Sequence, residues 1–250
     1  MKSEKVVVIT GASRGIGAAT AKVFAQNGYA VCINFLTDDT AAEQLKNDIL
    51  QYAVRCITVK ADVSKSCEVQ RLFETVDKEL GCLSVLVNNV GILKNQSRLD
   101  EMHDQRFSEV LTTNVMSCFL CSKQAVKRMS SKYSGMGGAI VNVSSGAAKS
   151  GSPNEYIDYA ASKGAIDSLT KGLALEVAAE GIRVNAVRPG FIDTDIHAAG
   201  GEPNRIDRLK SKIPMQRGGS PLEVAEAIYW LASEKSSFVT GSFVDVAGGL

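Results

Sequence analysis

Histidine is almost missing: His103 and His197 are the only two in 250 residues. A His-x-x-x-His ligand pair is therefore impossible, and a His-activated nucleophile would have to rest on one of two isolated imidazoles in loop-like or polar surroundings. Charge imbalance is missing too, with 28 Lys and Arg against 27 Asp and Glu, so nothing in the balance supports a nucleic-acid partner. No apolar run is long enough for a signal peptide or a membrane span, and Met1 to Lys5 leads directly into a strand-like run. The expectation is a cytoplasmic protein with no membrane partner. The six cysteines, Cys32, Cys56, Cys67, Cys82, Cys118 and Cys121, are scattered through apparent strands and helices, which fits reduced thiols better than a disulfide framework. Cys118-Phe119-Leu120-Cys121 has the C-x-x-C form, yet it lies mid-helix by pattern without a second pair or a nearby His, and no metal site is expected. No linker, repeat or low-complexity tract divides the chain, so residues 1–250 read as a single domain with 45% hydrophobic content to build its core.

What is present is alternation. Lys5 to Thr10 is a continuous apolar run, the mark of a strand covered on both faces. Ile16, Ala19, Val23 and Phe24 follow at helical spacing, Gly28 closes that helix, and Ala30 to Phe35 is the next strand. The same reading predicts helices over Thr40–Tyr52, Cys67–Leu80, Leu99–Val110 and Thr113–Ser130, and strands over Arg55–Lys60, Leu83–Asn88, Ala139–Val143, Arg183–Val187 and Ser242–Val246. From Pro189 to about Pro214 the pattern fails, with Asn204–Lys212 as its only helical candidate, and the long irregular stretch reads as a substrate lid over about 191–217. Ser220-Pro221-Leu222-Glu223 places a capping Ser, a first-turn Pro and a Glu at the third helical position ahead of a last helix. Strands alternating with helices imply an α/β fold with a doubly wound parallel sheet.

Two stretches carry chemistry. Thr10 to Gly17 joins the first strand to the first helix with G-x-x-x-G-x-G spacing, where unpaired N–H groups at a helix start and missing Cβ atoms suit a pyrophosphate. It lacks the Lys-Ser/Thr ending of a P-loop, which argues against triphosphate binding. Tyr159-Ala160-Ala161-Ser162-Lys163 sets a phenol and an ammonium one turn apart on a helix. Taken alone, that pair reads better as a half-buried aromatic and a solvated charge; the rest of the chain must supply the case for catalysis.

Thr10–Gly17 together with Asn88-Asn89-Val90-Gly91, Asn114, Asn142-Val143-Ser144-Ser145, Tyr159-x-x-x-Lys163 and Pro189-Gly190 resembles the short-chain dehydrogenase/reductase family over essentially the whole chain, including its ketoacyl reductase-like and glucose dehydrogenase-like members. The resemblance implies a Rossmann-type seven-stranded parallel sheet with helices on both faces, and a cofactor over its carboxyl ends. It implies that Gly11, Ser13, Arg14, Gly15, Ile16 and Gly17 hold the pyrophosphate and adjoining ribose. Asn34 would stand at the second strand's end, Asp62 and Val63 beside the adenine, Asn88, Val90 and Gly91 along the cleft, and Pro189, Gly190, Ile192 and Thr194 beside the nicotinamide. Tyr159 would exchange the substrate oxygen's proton, Lys163 would tune Tyr159 and bind the cofactor, Ser145 would hold the substrate oxygen, and Asn114 would hold a water that relays protons through Lys163.

The second strand ends in Asn34, Phe35 and Leu36 without the acid of NAD-specific relatives, and Arg14 adds a cation, so the cofactor expected is NADP(H), with NAD(H) possible. Asp38 and Asp39 argue mildly for NAD. Lowering a Tyr pKa from about 10 toward neutrality needs about 3 units, and one cation supplies roughly 1–3, so Lys163 by itself is marginal. Two departures from the family pattern stand out. Val90 replaces the usual Ala, and Tyr159 lies 14 positions after Ser145, where about 13 is commoner. Tyr156 is a rival phenol, but its i+4 neighbour is Ala160. The implied partners are a small-molecule carbonyl or alcohol substrate and further copies of the chain in a homotetramer or homodimer. The reading from another class is a cofactor-binding regulatory or scaffold protein without turnover, which would need none of Asn114, Ser145, Tyr159 and Lys163.

Overall fold

The computed structural model describes residues 4–250. Met1 to Ser3, on which part of the expectation about the chain's start falls, lie outside them. The elements follow in the order β1 (Val6–Ile9), α1 (Gly15–Gln26), β2 (Ala30–Phe35), α2 (Asp39–Leu50), β3 (Cys56–Lys60), α3 (Ser66–Glu79), β4 (Leu83–Asn88), α4 (Asp104–Leu111) and α5 (Ser117–Met129). Then come β5 (Gly138–Val143), α6 (Ala147–Ser150), α7 (Ile157–Val177), β6 (Ile182–Pro189), α8 (Ile196–Ala199), α9 (Arg205–Leu209), α10 (Pro221–Ala232) and β7 (Phe243–Val246). The seven strands form one all-parallel sheet in the order β3, β2, β1, β4, β5, β6, β7. The order reverses direction between β1 and β4, which opens a crevice at their carboxyl ends.

The unbroken apolar runs are explained by two cores. Successive strand residues face opposite sides of a sheet, so Val7 and Ile9 pack with Phe24, Ile49 and Ile228, while Val6 and Val8 pack with Leu72, Phe73 and Met129. All four residues of β1 and all six of β2 are buried. Each fully buried Val, Ile or Phe contributes roughly 1.5–3 kcal/mol of transfer free energy, so a polar residue inside these strands is costly unless it is bonded. The capping box is present as read: Glu223 N donates to Ser220 Oγ at 3.3 Å, and Ser220 N donates to Glu223 Oε2 at 2.7 Å.

Three local expectations are corrected. The helical patterns over Leu99–Val110 and Thr113–Ser130 form a 3-10 turn at Leu99–Glu101 and then one continuous helical run, because α4 passes into α5 through a π-turn at Thr112–Met116. The extra residue of a π-turn shifts the apolar phase, so one helix reads as two. In the lid, α9 covers only part of Asn204–Lys212, and α8 precedes it. A single turn such as α6 or α8 has no periodicity to read. His197, expected in polar or loop-like surroundings, lies on α8 and is buried.

Candidate active site

A cleft of about 970 Å³ runs along the carboxyl ends of β1, β4, β5 and β6 and under the lid. Its floor begins at the turn from β1 to α1. A Cβ on Gly17 would stand 2.6 Å from Gly11 O and 2.8 Å from Ala12 Cα, so only glycine lets the turn close on itself. Asn89 ties that turn to β4, since its Nδ2 donates to Thr10 O at 3.0 Å and to Gly11 O at 2.9 Å. The start of α1 has no acidic residue in its first turn, and its leading N–H groups lack intrahelical partners. A turn of this kind could hold a phosphate-bearing cofactor.

The residues expected at a cofactor divide into two groups. Gly11, Ser13, Arg14, Gly15, Ile16, Val90, Gly91, Pro189, Gly190, Ile192 and Thr194 line the cleft together with Ser145, Tyr159 and Lys163. Gly17 lies behind the turn it permits. Asn34 is not brought to the cleft. Its side chain is turned inward, with Nδ2 donating to Val59 O at 3.2 Å and Ala61 O at 3.0 Å, while Oδ1 accepts from Gly11 N at 3.3 Å. It braces the glycine turn against β3, and Phe35, Leu36, Thr37 and Asp38 take its place at the cleft wall. Asp62, Val63 and Asn88 are likewise outside the lining. The Asp62 carboxylate is engaged by Ser64 and Lys65, and Asn88 Nδ2 donates to Ser122 Oγ and Asn142 Oδ1 inside the sheet. Val90, flagged for its size, leans on the turn: its Cγ2 would be 3.0 Å from a Cβ on Gly11.

The chemistry-bearing residues converge where β5 and α7 meet. Lys163 is 2% exposed, and its Nζ donates to Val143 O at 2.8 Å. Gly91 makes room for it, because a Cβ there would stand 3.3 Å from Nζ. The ammonium lies 5.4 Å from the centre of the Tyr159 ring. Surrounding protein pushes the Tyr159 phenol up to about 12, and the Ser145 hydroxyl pulls it back. The expected lowering by Lys163 is not what opposes burial here, since the ammonium sits over the ring and bonds a backbone carbonyl. Burial pushes Lys163 itself down to about 8.

Ser145 Oγ accepts from Ala147 N at 3.1 Å, which fixes it at the start of α6. Asn114 sits in the π-turn and is fully buried. Its Oδ1 accepts from Ile92 N at 2.8 Å, and its Nδ2 donates to Ile92 O and to Ser162 Oγ at 3.2 and 3.0 Å. Its side chain therefore latches the Ile92 loop onto α7 and does not line the cleft.

Arg205 lines the cleft without any sequence signal of its own. The rival phenol, Tyr156, donates its hydroxyl to Gly200 O at 3.2 Å under the Arg205 guanidinium, 5.0 Å from its ring centre, so it holds the lid. Arg205 is 6% exposed and pairs with Glu155 and Glu202. His197 donates Nε2–H to Ile192 O at 3.0 Å, and burial lowers its proton affinity. Cys118 and Cys121 are buried thiols, Cys118 pushed up to about 12 by burial. Among the described residues no group of three or more His, Cys, Asp or Glu could hold a metal ion, and no helix is long and apolar enough to cross a membrane.

Comparison with known proteins bears on the family and the fold. The family model described as enoyl-(acyl carrier protein) reductase matches residues 11–250. An uncharacterized oxidoreductase of Escherichia coli K12, YgfF, is 55% identical over 98% of this chain and 99% of its own. The 3-oxoacyl-[acyl-carrier-protein] reductase FabG of Staphylococcus aureus is 36% identical over 100% and 99%. Among solved structures, a 3-ketoacyl-(acyl-carrier-protein) reductase from Brucella melitensis complexed with NADH superposes with a TM-score of 0.90 at 32% identity, covering 98% of this chain and 97% of that one. An acetoin dehydrogenase from Salmonella typhimurium, YohF, gives 0.85 at 33% identity over 98% and 96%.

Proposed function

The chain belongs to the short-chain dehydrogenase/reductase family of oxidoreductases, and on that premise we propose that it transfers a hydride between NADP(H) and a carbonyl or alcohol substrate, with Tyr159 as the general acid/base. The observation that carries the reading is the convergence of Tyr159, Ser145 and Lys163 at one end of a cleft whose other end is the glycine cradle.

When bound, the nicotinamide supplies or accepts the hydride. Each remaining task falls to the chain's own residues. In the reducing direction a phenol held near 12 stays protonated at neutral pH and is available to give its proton to the substrate oxygen. Ser145 holds that oxygen as an oxyanion donor. Lys163, still an ammonium below about 8, would hold the cofactor's ribose beside Tyr159. Asn114 keeps the Ile92 loop against α7 through its side-chain amide. Gly11, Ser13, Arg14, Gly15 and Ile16 would cradle the pyrophosphate, and Pro189, Gly190, Ile192 and Thr194 would flank the nicotinamide.

Of the acids near the second strand, Asp39 pairs with Lys60 at 2.7 Å, whereas Asp38, whose Oδ1 accepts from Ala41 N at 2.9 Å as the cap of α2, lines the cleft, so the case for NADP rests on Arg14. Arg14 makes no ion pair among the described residues and lines the cleft. For the substrate, the similarity to an acetoin dehydrogenase and to 3-ketoacyl reductases suggests probes: acetoin and a 3-ketoacyl thioester. The lid over about 191–217 would shape that pocket. A homotetramer or homodimer is proposed from the apolar side chains that α4, α5 and α7 leave exposed, and a cytoplasmic location from six free thiols.

Replacing Tyr159 by Phe tests the core of the reading. Turnover of acetoin or an acetoacetyl thioester should fall by roughly 10²–10⁴ while NADPH binding, followed by nucleotide fluorescence, is retained. Undiminished turnover in that variant would sink the mechanism.

A further inference from the structure

Asp167 stands one turn beyond Lys163 on α7, so Tyr159, Lys163 and Asp167 follow one helix face at i, i+4 and i+8. The proposed reaction gives Asp167 no task. Its side chain is only 15% exposed and is held on one side, with Arg188 donating Nε and Nη2 to Oδ2 at 2.9 and 2.7 Å. Oδ1 is buried with no hydrogen-bond partner among the described residues. Arg188 is itself fixed by the Phe243 ring, 4.0 Å from its centre, and by Asp245, whose Oδ1 lies 3.8 Å from Nη1. Asp245 Oδ2 accepts from Lys149 Nζ at 2.9 Å. A chain of alternating charge thus links α7, β6, β7 and α6.

The surroundings of Lys163 give this chain a purpose. Among the described residues no carboxylate comes within ion-pair distance of its ammonium, and a buried ammonium releases its proton unless negative charge lies close by. The titratable groups around it are Tyr159 and Asp167 on its own helix and Cys118 on α5, with Arg188 of β6 paired to Asp167. On the other packed elements, Arg106 of α4 is taken by Asp158, Glu109 of α4 by Lys94 and Lys149 of α6 by Asp245. Asp158 is fully engaged, by Arg106 and by Tyr159 N. Asp167, four residues beyond Lys163 on the same helix, is left as the acid with a buried oxygen free of partners.

We propose that Asp167, fixed by Arg188, is a positioning residue that acts through Lys163, as the counter-charge keeping the buried ammonium protonated and in place. Its importance for turnover rests on the acid–base reading above, but its effect on Lys163 does not. Burial drives the Lys163 ammonium toward deprotonation and the Asp167 charge opposes that drive, while Cys118, pushed up to about 12, stays a neutral thiol.

The experiment is a titration of the Lys163 ¹³Cε resonance in the full chain, assigned by its loss in Lys163→Met. Asp167→Asn should lower the proton affinity of Lys163 roughly tenfold, and Arg188→Gln should raise it, because the Asp167 charge is then uncompensated. Loosened packing would hydrate Lys163 and raise the midpoint in both variants, so the opposite signs separate electrostatics from damage. An unchanged or raised midpoint in Asp167→Asn overturns the proposal. If that variant does not fold, Arg188→Gln decides, with an unchanged or lowered midpoint overturning it. Retained turnover in Tyr159→Phe would remove the catalytic reading and leave this titration intact, so the two failures are distinguishable.

Discussion

Asn89 Nδ2 occupies the space that a side chain on Gly17 would need: a Cβ there would stand 2.7 Å from it. The same amide bonds the carbonyls of Thr10 and Gly11, so the glycine turn and the helix that follows it are locked together by one side chain. Gly17→Ala must push apart backbone atoms as well as this amide. It should cost about 1–3 kcal/mol of stability and weaken NADPH binding, read by urea unfolding and nucleotide fluorescence. Unchanged binding would show that the turn does not hold the cofactor.

If NADP is the cofactor, Arg14 is the residue that would distinguish it from NAD. A guanidinium on a 2′-phosphate contributes about 1.5–3 kcal/mol as a charged hydrogen bond, so Arg14→Ala should weaken NADPH roughly 10- to 100-fold and leave NADH nearly unchanged. Calorimetric titration of both nucleotides checks this. Equal losses for the two would place Arg14 on the shared pyrophosphate and remove the case for NADP.

Lys163 makes stability depend on pH. Its folded pKa of about 8 lies below the ordinary 10.5, so the unfolded chain binds the proton more tightly than the folded one. The burden on folding is therefore full below about 8 and disappears above 10.5. Its size is on the order of 3 kcal/mol. Lys163→Met should raise the melting temperature at pH 7, with the gain shrinking as pH rises through that window, while turnover is lost. A gain independent of pH would assign the effect to packing.

Phe119 on α5 is 47% exposed and Leu175 on α7 is 72% exposed. If these helices meet another copy of the chain, Phe119→Asp and Leu175→Asp should each shift the mass measured by light scattering toward the monomer. A monomeric parent, or an assembly that both variants leave intact, would exclude this face.

Much of the architecture is legible in local pattern. The unbroken apolar runs at Val6–Ile9 and Ala30–Phe35 announce strands buried on both sides, and the Ser220 to Glu223 box announces the start of α10. These signals survive because burial and capping act on neighbouring residues, over a period the chain itself displays. Tyr159, Lys163 and Ser145 are legible for a different reason: they sit in motifs whose joint order is specific.

What local pattern does not carry is where a polar side chain points and what it meets far along the chain. Asn34 read as a cofactor contact at a strand end, yet carbonyls of β3 and the amide of Gly11 turn it inward. Asn114 read as a relay, and its amide is saturated by Ile92 and Ser162. The sequence by itself determined the alternating elements, the glycine turn and the phenol–ammonium pair, because each depends on spacing within a few residues. Only the tertiary structure decided that Tyr156 serves the lid, that Lys163 is buried beside a backbone carbonyl, and that Asp167 meets Arg188 from 21 residues away. Those outcomes depend on which groups the sheet order brings together, and on the cost of leaving any buried charge or amide without a partner.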